Sequence, residues 1–352
     1  MRGHHRIRAF LQSLGIEHPV LLSPMAGGAG TPELVAEVSN VGGLGAWGGA
    51  YASPEQILQA AKTIRALTDR PFGINLFAGG YASQSSVDPA PMLAVMRAVH
   101  DELGLPSPVL PSLPASPFAE QLDAVIEARP ANFSFTFGIP DAQALARLRK
   151  ADIVTGGTAT HVDEARALED AGVDYIVAQG EEAGAHRGTF LKSFDEAMVP
   201  MRTLVREIAA AVNIPVVASG GIMDGNDIAE TLQLGAVAAQ LGTAFLPCPE
   251  CGTPDVHKRL ILEARDDTTM ITRVFSGRHA RGMRNDFIDR VPPDTILPFR
   301  QQNDLTRPMR VAAGAQGKAG YLSLWAGRGV TRARAMPAGE LVHTLVAEIA
   351  GA

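Results

Sequence analysis

The sequence predicts an α/β protein, a (β/α)8 (TIM) barrel with an inserted and a C-terminal lid domain. Eight short apolar runs alternate with segments that carry helix-start signals, and this alternation implies parallel strands. Eight such units over 352 residues fit a barrel. A doubly wound sheet would need a G-x-G-x-x-G fingerprint after its first strand, and Ala-Gly-Gly-Ala-Gly at 26–30 does not match it.

The strands are expected in the apolar runs, which span residues 19–25, 44–47, 71–77, 132–137, 152–155, 174–178, 214–218 and 236–241. Two helices have clear starts. Thr31-Pro32-Glu33 offers an N-cap, a proline for the first turn and an acid for the positive helix end, and residues 53–55 repeat the pattern. Further helices are expected over 118–128, 160–171 with Thr160 as cap, 196–212, 226–234 and 340–349, with another ending at 150.

Two stretches interrupt this alternation of strands and helices. Residues 78–117 are rich in Gly, Ser and Pro around one amphipathic segment, and residues from about 250 to 320 are irregular and polar. We therefore expect five parts. They are 1–78 (first part of the barrel), 79–116 (an inserted lid), 117–250 (second part of the barrel), 251–325 (an irregular lid) and 326–352 (a C-terminal helix that packs on the barrel).

Composition is that of a globular protein with a large core, at 46% hydrophobic and 19% charged residues. The net charge of −6 argues against non-specific nucleic-acid binding. No apolar run reaches the ~18 residues of a membrane span, and no signal peptide is visible at the start. A cytoplasmic location is the expectation, and the oligomeric state is left open.

The two cysteines form one Cys-x-x-Cys pair, Cys248 and Cys251. A zinc site would need further ligands at suitable spacing, and His257 alone completes it poorly. We expect free thiols and no metal. The basic segment 273–284 fits either a solvated lid loop or a means of attracting anions to the site mouth.

Active sites of barrels lie at the carboxyl ends of the strands. The candidate residues at those ends are Met25, Asn75, Gln179, His186, Gly220, Gly221, Gly242 and Thr243. His186 follows the sixth strand in a Gly/Ala-rich loop and can be a base, a hydrogen-bond donor to an anion, or a solvated loop residue. Residues 4, 5, 18, 100, 161, 257 and 343 are histidines without such a context, and we expect them at the surface or in packing.

The turns after the seventh and eighth strands predict a phosphate site. Ser219-Gly220-Gly221 and Gln240-Leu241-Gly242-Thr243 combine backbone N–H groups with a hydroxyl, although two ordinary tight turns would look similar. Asn75 and Gln179 end apolar strands, and their amides could bind a heterocycle or a phosphate. Asn75 could equally be a turn former.

Ordered blocks over nearly the whole chain resemble the nitronate monooxygenases, formerly grouped as 2-nitropropane dioxygenases, and specifically their bacterial class I. The matching blocks are residues 24–28, 31–34, 42–45, 179–188, 218–225, 240–245 and 275–282. The resemblance implies non-covalently bound FMN. By motif, Met25, Asn75, Gln179 and Gly184 would contact its ring or ribityl chain, Gly221 and 240–243 its phosphate side, and His186 would be catalytic.

The resemblance also implies a reaction. An alkyl nitronate gives an electron to the flavin, and oxygen completes its conversion to a carbonyl compound and nitrite. Propionate 3-nitronate is the usual class I substrate. Two positions depart from the family pattern: Ala185 stands where the family usually has glycine, and Thr136 where it often has histidine.

Two alternatives remain beside this interpretation. An FMN-dependent enoyl-acyl-carrier-protein reductase would share the barrel, the phosphate loops and the loop histidine, but would use NAD(P)H. A barrel that binds FMN or a phosphate without catalysis would not need His186.

Overall fold

The computed structural model describes residues 2–81, 86–113 and 115–352. Within these ranges eight parallel strands form a barrel: β1 Val20–Leu22, β2 Gly45–Gly48, β3 Phe72–Phe77, β4 Asn132–Thr136, β5 Val154–Ala159, β6 Tyr175–Gln179, β8 Val216–Ser219 and β9 Ala238–Leu241. Their order around the barrel is β1-β9-β8-β6-β5-β4-β3-β2, and β7 Ala185–His186 lies outside it. A parallel bridge between Leu21 and Leu44 joins the two ends. The predicted α/β barrel is confirmed.

In the described ranges one helix precedes the first strand, and the other helices alternate with the strands or follow them. The helices are α1 Arg2–Leu14, α2 Pro32–Asn40, α3 Pro54–Leu67, α4 Pro89–Leu103, α5 Phe118–Ala128, α6 Ala142–Lys150, α7 Val162–Asp170, α8 Met201–Ala211, α9 Gly225–Gln233, α10 Asp255–Glu263, α11 Asp286–Arg290, α12 Gln301–Ala315 and α13 Ala338–Gly351. The two predicted N-caps are present, since Thr31 accepts from the amide of Leu34 and Ser53 forms a capping box with Gln56.

The fifth strand is longer than the expected 152–155, because β5 continues through Gly156 and Gly157. A glycine pair usually marks a strand end. Here a Cβ at Gly156 would lie 2.2 Å from Cζ of Tyr175, and one at Gly157 would lie 2.3 Å from Cδ2 of Leu168. The side chains of these neighbours occupy the space, so the glycines belong to the wall of the barrel.

Two helix starts differ from expectation. The helix expected from residue 196 begins at Met201, because Pro200 lacks an N–H and disfavours helical backbone at the preceding residue. The cap of α7 is His161, whose Nδ1 accepts from the amide of Asp163. Thr160 instead donates its hydroxyl to Glu164 at 2.8 Å, so the prediction that it caps the helix is wrong.

The stretch expected to be irregular, 250–320, contains regular structure. It holds α10, α11, the 15-residue α12, and the strands β10 Thr269–Thr272 and β11 Ala280–Met283. The pair β10–β11 is antiparallel and adds the short strand β7 Ala185–His186 as its third member. The polar composition of these elements, which includes buried polar residues such as Gln302, Asn303 and Arg281, hid them.

A second apolar core lies outside the barrel. It joins α4 of the inserted stretch to α12 and the segment before β11, and includes Met92, Met96, Val99, Phe275, Leu305 and Met309. The insertion and the later segment therefore pack on each other. Residues 82–85 and 114 of the predicted insertion lie outside the described residues, and the limits of the five parts stay a prediction.

The opposite end of the barrel is covered by α1, whose Phe10 and Leu14 pack with Tyr175 and other inward residues. At the C-terminus α13 packs against α2 and α9. Cys248 and Cys251 are buried free thiols. Among the described residues no helix is long and apolar enough to cross a membrane.

Candidate active site

A cavity of about 660 Å³ opens at the carboxyl ends of the barrel strands. Every candidate residue from the sequence lines it: Met25, Asn75, Gln179, Gly184, His186, Gly220, Gly221, Gln240, Leu241, Gly242 and Thr243. The barrel thus brings together residues that lie up to 218 positions apart. Their roles as flavin or substrate ligands stay a prediction.

His186 stands on β7 in an apolar cage. Its ring centroid lies 6.2, 5.9 and 5.7 Å from those of Phe77, Phe137 and Phe299, all edge-on, and 5.8 Å from that of Trp325. Burial, with the positive charges of Arg278 and Arg310, lowers the pKa of His186 to about 3. The imidazole is therefore neutral at physiological pH.

The loop that carries His186 is held by its own backbone contacts. Gln179 donates through Nε2 to the carbonyl of His186 at 3.0 Å and accepts through Oε1 from the amide of Gly188 at 2.8 Å. Arg187 is fully buried and donates to the carbonyls of Gln179, Gly180 and Ala197. The amide of Gln179, expected to face a ligand, thus also fixes the position of His186.

Ala185 adopts left-handed backbone, with φ of 60°. This region costs an L-residue roughly 1–2 kcal/mol, which accounts for the glycine usual at this position in the resembled family. The neighbouring Gly184 has a different constraint. A Cβ there would lie 2.7 Å from the carbonyl carbon of Ala326, so the segment 326–327 packs directly on its backbone.

The turns after β8 and β9 have the properties of an anion site. Gly220 and Gly221 have φ of 118° and 71°, a conformation that glycine adopts without strain. The amides of Gly221, Gly242 and Thr243 find no acceptor among the described residues. Thr243 Oγ1 accepts from the amide of Gly327 at 2.8 Å and keeps its proton to donate. Leu241 contributes backbone only, because its side chain is 1% exposed.

Asn75 and Thr136 also have defined partners. Asn75 donates to Ser134 Oγ at 2.9 Å, and no described residue bonds its Oδ1. Thr136 pairs with Thr158, Oγ1 to Oγ1, at 3.3 Å. Asn75 therefore has an acceptor free for a ligand in the cavity.

The sequence did not single out several residues on the far wall of the cavity. Asn303, Arg307 and Arg310 come from α12, and Tyr51 from the loop after β2. The spacing 303, 307, 310 places the three residues of α12 on one helix face. The sequence contains this signal, but it was missed because the segment was expected to be irregular. The hydroxyl of Tyr51 and Nε of Arg310 are buried without a partner, and burial raises the pKa of Tyr51 to about 12.

Two arginines of the basic segment 273–284 contact backbone carbonyls outside it, while Arg284 is exposed and pairs with Asp289. Arg281 is buried and donates to the carbonyl of Glu181, while Arg278 donates to the carbonyls of Arg187 and Thr189 and lies over the ring of Phe137. Arg278 and Arg281 tie β11 and the turn before it to the loop of His186, and neither lines the cavity.

A sequence model described as nitronate monooxygenase matches residues 8–348. The chain belongs to the nitronate monooxygenase family. The predicted family is thereby confirmed, and with it an enzyme of this type. Nitronate monooxygenases are flavoproteins, which agrees with the residues gathered at the cavity.

Relatives within the family cover nearly the whole chain. A probable nitronate monooxygenase of Staphylococcus haemolyticus is 38% identical over 342 residues, covering 96% of each chain. One from Staphylococcus aureus strain Newman is 38% identical over 341 residues, with the same coverage.

Solved structures agree with this placement. The nitroalkane oxidase of Streptomyces ansochromogenes has a TM-score of 0.89 and 39% identity, covering 97% of this chain and 98% of its own. FabK from Thermotoga maritima has a TM-score of 0.74 and 26% identity, covering 97% and 96%.

Proposed function

We propose that this nitronate monooxygenase uses FMN and oxidises an alkyl nitronate that also carries a carboxylate, such as propionate 3-nitronate. Oxygen is consumed, and a carbonyl compound and nitrite are formed. Bound FMN would supply the electron acceptor for this oxidation. The chain's own residues would hold it and orient the substrate.

The residues present fit FMN. The free amides of Gly221, Gly242 and Thr243 suit a phosphate, since backbone N–H groups in such turns bind anions. Gly184, Asn75 and Met25 line the same cavity. The backbone of Gly184 has no side chain to block a flat flavin ring, and the amide oxygen of Asn75 can accept a hydrogen bond from it. These residues are our candidates for holding the phosphate and the ring, respectively.

The observation that carries the substrate proposal is the charge of the cavity. Among the described residues that line it, Arg307 and Arg310 are cationic and none is Asp or Glu. Arg310 bonds Asn303 through Nη2 at 2.9 Å. No described residue bonds its Nη1, and Nη1 is not among the buried atoms that lack a partner, so it is open to donate to an anion in the cavity.

The state of His186 favours a substrate that is already deprotonated. With its pKa lowered to about 3 by burial and by Arg278 and Arg310, His186 is a weak base. Removal of a carbon-bound proton from a neutral nitroalkane would therefore be slow, because a good general base has a pKa near the working pH. A nitronate does not need this step.

The proposal is tested with purified protein loaded with FMN in an oxygen electrode. We expect oxygen uptake and nitrite release with propionate 3-nitronate, and for His186→Asn a larger loss with a neutral nitroalkane than with the nitronate. Protein that cannot bind FMN, or that turns over no nitronate, would overturn the proposal. Reduction of the flavin by NADPH with turnover of a crotonyl thioester would support the reductase alternative instead.

The carboxylate preference is tested with Arg310→Gln. A hydrogen bond to a charged group is worth about 1.5–3 kcal/mol, so we expect kcat/KM for propionate 3-nitronate to fall roughly 10- to 100-fold. For ethyl nitronate, which has no carboxylate, the change should be small. Arg147→Gln, which removes a surface ion pair with Asp123, is the matched control. Equal losses on both substrates would contradict the assignment.

A further inference from the structure

Among the described residues, the imidazole ring of the catalytic candidate His186 has one polar partner, Ser276. Nε2 of His186 lies 2.8 Å from Oγ of Ser276, and Ser276 is 1% exposed. The serine is fixed by a turn in which the amides of Ser276 and Gly277 both donate to the carbonyl of Arg273. The pairing of β7 with β11, which places His186 beside Ala280, brings the two side chains together.

The protons of this contact can be assigned by counting donors and acceptors. Oγ of Ser276 accepts from the amide of Arg278 at 3.3 Å and lies 3.1 Å from the carbonyl oxygen of Arg278. No other described residue donates to that carbonyl. The hydroxyl of Ser276 has one proton to donate. Donated to the carbonyl of Arg278, it satisfies that carbonyl and is no longer available to His186. The contact between Ser276 Oγ and His186 Nε2 is then a hydrogen bond only when Nε2 carries a proton and donates it to Oγ.

The other ring nitrogen is then unprotonated and faces the cavity. No described residue bonds Nδ1, and Nδ1 is not among the buried atoms that lack a partner, so it is open to the cavity that the ring lines. The aromatic cage of Phe77, Phe137, Phe299 and Trp325 hinders rotation of the ring.

We propose that Ser276 is a positioning residue, which holds His186 as the Nε2–H tautomer and so presents the lone pair of Nδ1 to the substrate. The inference builds on the role proposed for His186. In a neutral imidazole the tautomer is set by the hydrogen bond of the other nitrogen. His186 then accepts a proton or a hydrogen bond and does not donate one to the anionic nitronate.

One proton transfer follows for a neutral nitroalkane. The C–H bond next to the nitro group breaks, its electron pair moves into the nitro group to give the nitronate, and the proton bonds to Nδ1 of His186. For a substrate that arrives as a nitronate, this step is absent. Loss of Ser276 should therefore reduce turnover of the neutral nitroalkane more than turnover of the nitronate.

The decisive experiment is nitrogen NMR of the full chain with FMN, labelled with ¹⁵N-histidine. The resonances of His186 are identified by their absence in His186→Asn. We expect a protonated Nε2 and an unprotonated Nδ1 in the wild type, a mixture of tautomers in Ser276→Ala, and the wild-type pattern in Ser276→Thr. Ser13→Ala, which changes an exposed serine of α1 at the other end of the barrel, is the control.

Two results would overturn the inference. One is a wild-type His186 protonated at Nδ1, and the other is an unchanged tautomer in Ser276→Ala. Because the spectra do not depend on turnover, they remain informative if no nitronate is oxidised, and the two proposals fail separately. In kinetics we expect the kcat/KM of Ser276→Ala to fall about 10-fold or more for nitroethane relative to ethyl nitronate.

Discussion

At the scale of single residues, Ala185 shows how one methyl group can strain the loop that carries His186. Its φ of 60° belongs to the left-handed region, and its strand β7 also carries His186. Pairing with Arg281 on β11 holds the backbone of Ala185 in this conformation. A strained backbone conformation persists at functional sites when the surrounding structure fixes it.

We predict that Ala185→Gly stabilises the protein. Glycine removes the left-handed strain, and we expect the free energy of unfolding in urea to rise by about 1 kcal/mol. Ala183→Gly is the control, because Ala183 is a buried neighbour without positive φ. It should lose about 0.5–1 kcal/mol through the entropy of glycine. Destabilisation by both changes would show that Ala185 is not strained.

The residues of the site differ in how far the sequence could predict them. His186, Gly221 and Thr243 were found because each lies in a local pattern, a strand followed by a glycine-rich turn. Ser276 was not found, because its contact with His186 spans 90 positions and depends on the pairing of β7 with β11. Arg310 was hidden in a segment whose composition is polar.

At the scale of elements, the loop after β7 depends on a buried carboxylate of α7. Glu164 is fully buried and accepts through Oε1 from Thr189 Oγ1 and from the amides of Phe190 and Leu191. Its Oε2 accepts from the amide and the hydroxyl of Thr160. One side chain therefore joins a barrel helix to the segment that follows His186 and Arg187.

We predict that Glu164→Gln loosens this loop. The substitution replaces one carboxylate oxygen by an NH2 group, which cannot accept a hydrogen bond. The donors that face this group lose their acceptor, at a cost of about 1–3 kcal/mol. Hydrogen exchange of the amides of Phe190 and Leu191 should accelerate, while that of the barrel strands should not. Glu207→Gln on the exposed face of α8 is the control, and equal exchange in both variants would contradict the role given to Glu164.

At the scale of the whole molecule, two buried neutral histidines link stability to pH. Burial lowers the pKa of His257 to about 4 and, with two arginines, that of His186 to about 3. Between these values and the unfolded pKa of 6.5, the unfolded chain binds protons that the folded protein does not. Stability should therefore fall as the pH falls below about 6.5.

We predict that His257→Gln weakens this dependence. One pKa unit corresponds to about 1.4 kcal/mol, so His257 should account for about 2 kcal/mol of the loss between pH 7.5 and pH 5. Urea unfolding at both pH values measures the difference. His343→Gln, at an exposed position of α13, should retain the wild-type pH dependence. If His257→Gln retains it as well, His257 is not buried in its neutral form.

The sequence by itself determined the barrel, the capped helices α2 and α3, and the strand ends at which the site residues lie. These follow from local periodicity, caps and turn residues, which act within a few positions of the chain. Only the tertiary structure decided that β7 joins β10 and β11, that α12 faces the cavity, and that Ser276 meets His186. Such contacts join distant segments, and their geometry depends on the packing of the second apolar core beside the barrel.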